Sequence, residues 1–154
     1  MDIKIIKGEN RNRLICGRKD GNTEIADLGP RLPFHDIAHY VVERELSMRN
    51  GFYGNIFSGH SVQQLSSKEV INRLPVESAV AEIITRALQS LSTGACSVEQ
   101  FVPIIQKEFE LYGIEWPLNL SLHQIKQMLS DYHALLQKWN DLDYGGVMEL
   151  TLTL

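Results

Sequence analysis

The last seven residues, Met148-Glu149-Leu150-Thr151-Leu152-Thr153-Leu154, alternate apolar and polar without a break. Successive side chains of a strand point to opposite faces, so this segment predicts a strand with one dry face and one wet face, which needs a sheet to join. The N-terminus offers that sheet. Ile3 and Ile5 alternate with lysine, Gly8-Glu9-Asn10 turns the chain, and Leu14 and Cys16 share one face of a second strand. Asp20-Gly21 marks a tight hairpin that returns through Thr23 to Leu28. If both ends of the chain enter one sheet, a cut between them would strand each half. The expectation is therefore a single domain over residues 1–154 of the α+β class. Its antiparallel sheet has about four strands, an N-terminal meander plus the C-terminal strand, packed on a layer of four to five helices.

Helical signals fill the middle of the chain. Pro33 suits a first helical turn and predicts a helix from Pro33 to Met48. The segment from Arg49 to Ser61, with three glycines and three aromatics, reads as a packed turn. A short helix over Ser67–Leu74 has Ser66 or Ser67 as its cap and ends at Pro75. From Val76 to Leu91, Ala79, Val80, Ile83, Ile84, Ala87, Leu88 and Leu91 form one apolar stripe. Ser97 with Gln100 makes a capping box that opens a helix to Tyr112, with Pro103 expected to kink it or delay its start and Gly113 to close it. Trp116-Pro117 is extended, and Ser121 caps a last helix to Leu142 with a stripe running from Leu122 to Trp139.

A chain of 154 residues buries roughly 70% of the surface that its unfolded form exposes. It can therefore build a core without disulfides. At 44% hydrophobic and 22% charged it lies in the ordinary globular range. The net charge is −4 and the fifteen basic residues are scattered, so no basic stripe exists to displace counterions from a phosphate backbone. Nucleic acid is not an expected partner. Nothing near the start reads as a signal peptide, and no segment approaches the ~18 apolar residues of a membrane span, so the expected location is the cytoplasm. Cys16 and Cys96 are far apart and in no metal or redox spacing, and both read as reduced and structural.

Chemistry concentrates in the run Pro33-Phe34-His35-Asp36-Ile37-Ala38-His39-Tyr40-Val41-Val42-Glu43. On a helix, His39 lies about 40° round from His35 and Glu43 about 40° further, so all three share a strip roughly 80° wide. Two imidazoles and a carboxylate on one strip are metal-ligand types, with Zn²⁺ the expected ion. The strip borders the apolar face of the helix, the position of a site half inside a pocket. Asp36 falls where the zincin His-Glu-x-x-His motif places its general base, but its side chain is one methylene shorter. It is a candidate base or supporting residue, while His60 is a candidate fourth ligand if the Gly51–Gly59 segment folds back. His123 and His133 point about 80° apart on the last helix and do not form a site together. Glu45 falls inside the apolar arc of its helix, which implies either that the helix loosens before it or that it is buried with a partner.

The block from Leu32 to Glu43, followed by Gly51-Phe52-Tyr53-Gly54 and Gly59, resembles a group of small bacterial proteins. They carry a Pro-His-Asp-x-x-His-x-x-x-Glu helix and a Gly-aromatic-x-Gly loop, and they have no assigned activity. The likeness spans about thirty residues. Here Phe34 stands between the proline and the first histidine. The His-Asp-x-x-His element is also similar to that of the ubiquinone-biosynthesis scaffold family, which links it to zinc through a glutamate twelve residues beyond the second histidine; that position here is Gly51.

Two function classes follow. One is a metal-binding protein using His35, His39 and Glu43, with an open coordination position that would make it a metal-dependent hydrolase. The other is a non-catalytic module in which this strip is ordinary helix surface and the helical layer or a sheet edge binds a partner, a homo-oligomer included. A small-molecule-binding variant of this module would use the Gly-rich aromatic loop as a lid.

Overall fold

A computed structural model describes all 154 residues. Strands β1 (Asp2–Ile6), β2 (Asn12–Gly17), β3 (Thr23–Leu28) and β4 (Val147–Thr151) form one antiparallel sheet in the order β3-β2-β1-β4. The C-terminal strand lies against the N-terminal one, with Ile3 opposite Leu150 and Ile5 opposite Met148. The period-2 pattern becomes a dry face of Ile3, Ile5, Leu14, Cys16, Met148 and Leu150, all buried, while Lys4 pairs with Glu149 on the wet face at 2.8 Å. Lys7 joins the two ends of the fold. Its ammonium donates to the carbonyls of Trp139, Asn140 and Leu142, satisfying acceptors left over where the last long helix stops.

Seven helices lie between β3 and β4: α1 (Leu32–Glu45), α2 (Phe52–Phe57), α3 (Val62–Leu65), α4 (Lys68–Ile71), α5 (Val76–Ser92), α6 (Val98–Tyr112) and α7 (Leu122–Asp141). Serine capping boxes open α6 and α7 at the expected residues, and Gly113 ends α6 in the left-handed conformation. Pro103 is accommodated within α6 without breaking it. Four details depart from the sequence reading. The segment expected to be a packed turn after α1 contains the helix α2. The expected helix over 67–74 is shortened to the single turn α4, with Ser67 at its N-cap, and an unexpected turn, α3, precedes it. Leu122, placed in the buried stripe of α7, is 55% exposed. Finally, α1 stops at Glu45 rather than Met48. There Ser47 takes a left-handed φ of 50°, its N–H bonds to Arg44 O, and the Met48 N–H reaches back to Glu43 O at 2.9 Å. This six-residue closure buries Met48 and leaves Glu45 half-exposed at the helix end, which accounts for a charged residue at an apolar angle.

Helix α1 is central. It packs against α5 and α7, and its Tyr40 hydroxyl donates to Thr151 O of β4 at 3.2 Å. Every residue from Asp36 to Glu43 is buried. The helix therefore has no solvated polar face, and Asp36, His39 and Glu43 sit in the interior, where each polar atom needs a partner. No helix is long and apolar enough to cross a membrane.

Candidate metal centre

His35 and His39 lie one helical turn apart on α1, and their Nε2 atoms are 3.2 Å from each other. The third group of this cluster comes from α5. Glu82 Oε2 lies 3.1 Å from His39 Nε2 and 3.4 Å from His35 Nε2. His35, His39 and Glu82 could together hold a metal ion.

The other nitrogen of each imidazole is engaged from behind. His39 Nδ1 lies 3.3 Å from Glu43 Oε1, with the Thr85 hydroxyl 3.4 Å away, and His35 Nδ1 lies 3.0 Å from Gln89 Oε1. An Nδ1–H pointing at an acceptor oxygen leaves Nε2 as a lone pair, the tautomer that binds metals. Two lone pairs and a carboxylate oxygen then face one another. With both rings in that tautomer, a proton or a metal ion among the three acceptors would satisfy them.

Glu43 thus occupies a different place from the ligand position that the helical strip assigns it. His39 lies between His35 and Glu43, using one ring nitrogen toward each, so Glu43 lies on the far side of His39 from Glu82. Its side chain is fully buried, and it accepts the backbone N–H groups of Tyr53 and Gly54 at 3.1 and 3.3 Å at the start of α2. Gly51 makes room for it, because a Cβ at that position would fall on the Glu43 carboxyl. The strip therefore runs from a half-exposed His35 to a closed Glu43, and the ligand atoms gather at its open end.

Asp36 and His60 stand apart from the cluster. The Asp36 carboxylate is buried and its Oδ2 has no hydrogen-bond partner. Burial pushes its pKa up to about 6, against the pull of His39 and His35. His60 Nδ1 lies 3.3 Å from Asn55 O, and the His60 carbonyl accepts from Arg18, which is also paired with Glu24. These bonds tie the end of α2 to the β2–β3 hairpin and hold His60 away from α1. His133 bonds Ser92 and does not approach the centre. Cys16 and Cys96 are free and buried.

The motif on α1 does not point to Glu82, although the sequence of α5 carries a signal for it. Glu82, Thr85 and Gln89 fall within about 60° on the face of α5 away from its apolar stripe. These are the three residues of α5 that meet the imidazoles of α1.

The electrostatics follow from this packing. Burial alone would lower the His39 pKa, but bonds and charge from Glu43 and Glu82 outweigh it and push it up to about 9. Burial likewise works to raise Glu82, but the two imidazoles hold it well below the usual carboxylate range. Beside His39 and Glu82 opens a cavity of about 540 Å³, bounded by α2, α3, α4, α5 and the end of α6. No protein-family model matches the chain, and no curated protein or solved structure shows significant similarity to it.

Proposed function

We propose that His35, His39 and Glu82 bind Zn²⁺ and that the protein is a zinc-dependent hydrolase. The reading rests on one observation: the three ligand atoms are 3.2, 3.1 and 3.4 Å apart. Ligands about 2.0–2.1 Å from a tetrahedral ion are separated by roughly 3.3 Å along each edge, so an ion fits among these atoms with little rearrangement. Two histidines and one glutamate form a donor set of catalytic zinc sites, which keep the fourth position for water. Zinc held by these residues would supply a water activated near neutral pH, so the chemistry would not need a protein base. Asp36 has no part in this scheme, since its buried carboxylate is not one of the groups that face one another in the cluster.

Support also comes from the partners behind the ligands. Glu43 and Gln89 fix the tautomers, as carboxylates and carbonyls do behind metal-bound histidines. The test is metal content per chain in protein purified without a histidine tag, beside Glu82→Gln and the His35→Ala/His39→Ala double variant. Near one zinc per wild-type chain, lost from folded variants, is the expected result. No bound ion after incubation with zinc, manganese or iron would sink the proposal.

A further inference from the structure

The cavity beside the centre has walls of a kind that restricts its occupant. His39 and Glu82 belong to its lining, and Phe52, Leu65, Leu74, Ile83 and Ile114 are among its apolar residues. Its volume of about 540 Å³ falls within the roughly 300–1,000 Å³ of small-molecule sites. The Asn55 amide nitrogen and the Ser78 hydroxyl are already engaged, and Tyr112, which also lines it, is largely exposed. Asn55 donates to Asn50 O, Gly51 O and the Ser78 hydroxyl, and Ser78 donates to Asn50 O. Arg86 is paired with Glu108 at 2.7 Å and lies 3.7 Å from Glu82. A sugar, nucleotide or peptide backbone would leave its own hydrogen-bonding groups unpaired against such walls, whereas a hydrocarbon chain would not.

The head group is set by charge. A divalent ion held by two neutral imidazoles and one carboxylate keeps one net positive charge, and its open position takes an oxygen ligand. Arg86 is half-exposed and tied through one guanidinium nitrogen to Glu108, so the ion beside the buried His39 is the less hydrated cation for an anion to meet. We propose that this cavity binds an aliphatic acyl chain, with the chain along the apolar wall and its carboxylate on the metal bound by His35, His39 and Glu82. This rests on the metal centre proposed above.

The experiment is calorimetric titration of zinc-loaded protein with hexanoate, octanoate and decanoate, with zinc content measured on the same samples. Burying each methylene should raise affinity about fourfold, so decanoate should bind about 250-fold more tightly than hexanoate. Ala79→Trp places a large ring on the cavity wall at an exposed position of α5 and should weaken decanoate at least tenfold while leaving zinc bound. His39→Ala, without zinc, should lose decanoate as well. Full zinc content with equal affinity along the series, or unchanged decanoate binding in Ala79→Trp, overturns the acyl site and leaves the metal centre standing. Decanoate held equally by His39→Ala overturns the assignment of its head group. A wild-type chain that takes up no zinc overturns the centre itself.

Discussion

Glu43 and His39 meet in the core at 3.3 Å, one helical turn apart, and the imidazole so held presents its other nitrogen to Glu82 at 3.1 Å. The same Glu43 carboxylate receives the first amides of α2. One buried side chain thus orients the candidate ligand and anchors the helix that roofs it.

Glu43→Gln should keep most of the acceptor that α2 needs while weakening the hold on His39 Nδ1–H. Loss of such a supporting carboxylate costs about 10–100-fold in metal affinity. Competition against a chelator measures it, with circular dichroism confirming the fold. Unchanged affinity would remove Glu43 from the centre.

Gly51→Ala should act through the same residue. The added methyl collides with the Glu43 carboxyl, and overpacking of this kind costs about 1–3 kcal/mol. A drop in Tm together with reduced zinc content is expected. A variant equal to wild type in both would show that the carboxylate is free to move.

Metal binding should release protons. With its pKa pushed up to about 9, His39 carries a proton at neutral pH in the metal-free protein, and the ion must displace it. About one proton per ion is expected at pH 7, read by calorimetry in buffers of different ionisation enthalpy. The sign for stability follows as well: the protonated imidazole contributes fully below its ordinary value of 6.5, and that contribution is lost as pH rises through about 9. Zero proton release would contradict this assignment.

Asp36→Asn should stabilise the protein at neutral pH. A carboxyl raised from 3.8 to about 6 by burial binds protons more tightly when folded, so stability falls as pH rises between those values. The neutral amide removes that penalty, about 1–3 kcal/mol, and flattens the pH dependence in urea titrations. A destabilised variant would mean that the carboxylate has an essential partner.

Ser47→Gly should also stabilise, because serine pays to hold the left-handed φ of 50° that ends α1 and glycine does not. A gain of about 0.5–1 kcal/mol corresponds to a rise of roughly 1–4 °C in Tm at this chain length. No change would mean that glycine's greater freedom in the unfolded chain offsets the relief.

What the sequence determined alone is what repeats along the chain. Alternation at Ile3, Ile5, Met148 and Leu150 specified the sheet and its dry face, because strand side chains change sides at every residue. Ser97 with Gln100, and Ser121, marked two helix starts, because capping is a local hydrogen-bond pattern; that Gln124 completes a box with Ser121 is seen in the structure. The four-residue spacing of His35 and His39 placed both rings on one strip for the same reason. The third donor was settled only in three dimensions. Glu82 is 43 residues from His39 and reaches it because α5 packs on α1. Periodicity also gave Glu43 the correct face but not its role: it fixes the angle of a side chain about its helix, whereas the neighbouring elements decide which ring nitrogen faces the core. Here α2 closes over one end of the strip and leaves the other open. That packing makes Glu43 a support, leaves His35 and His39 facing Glu82, and holds His60 away.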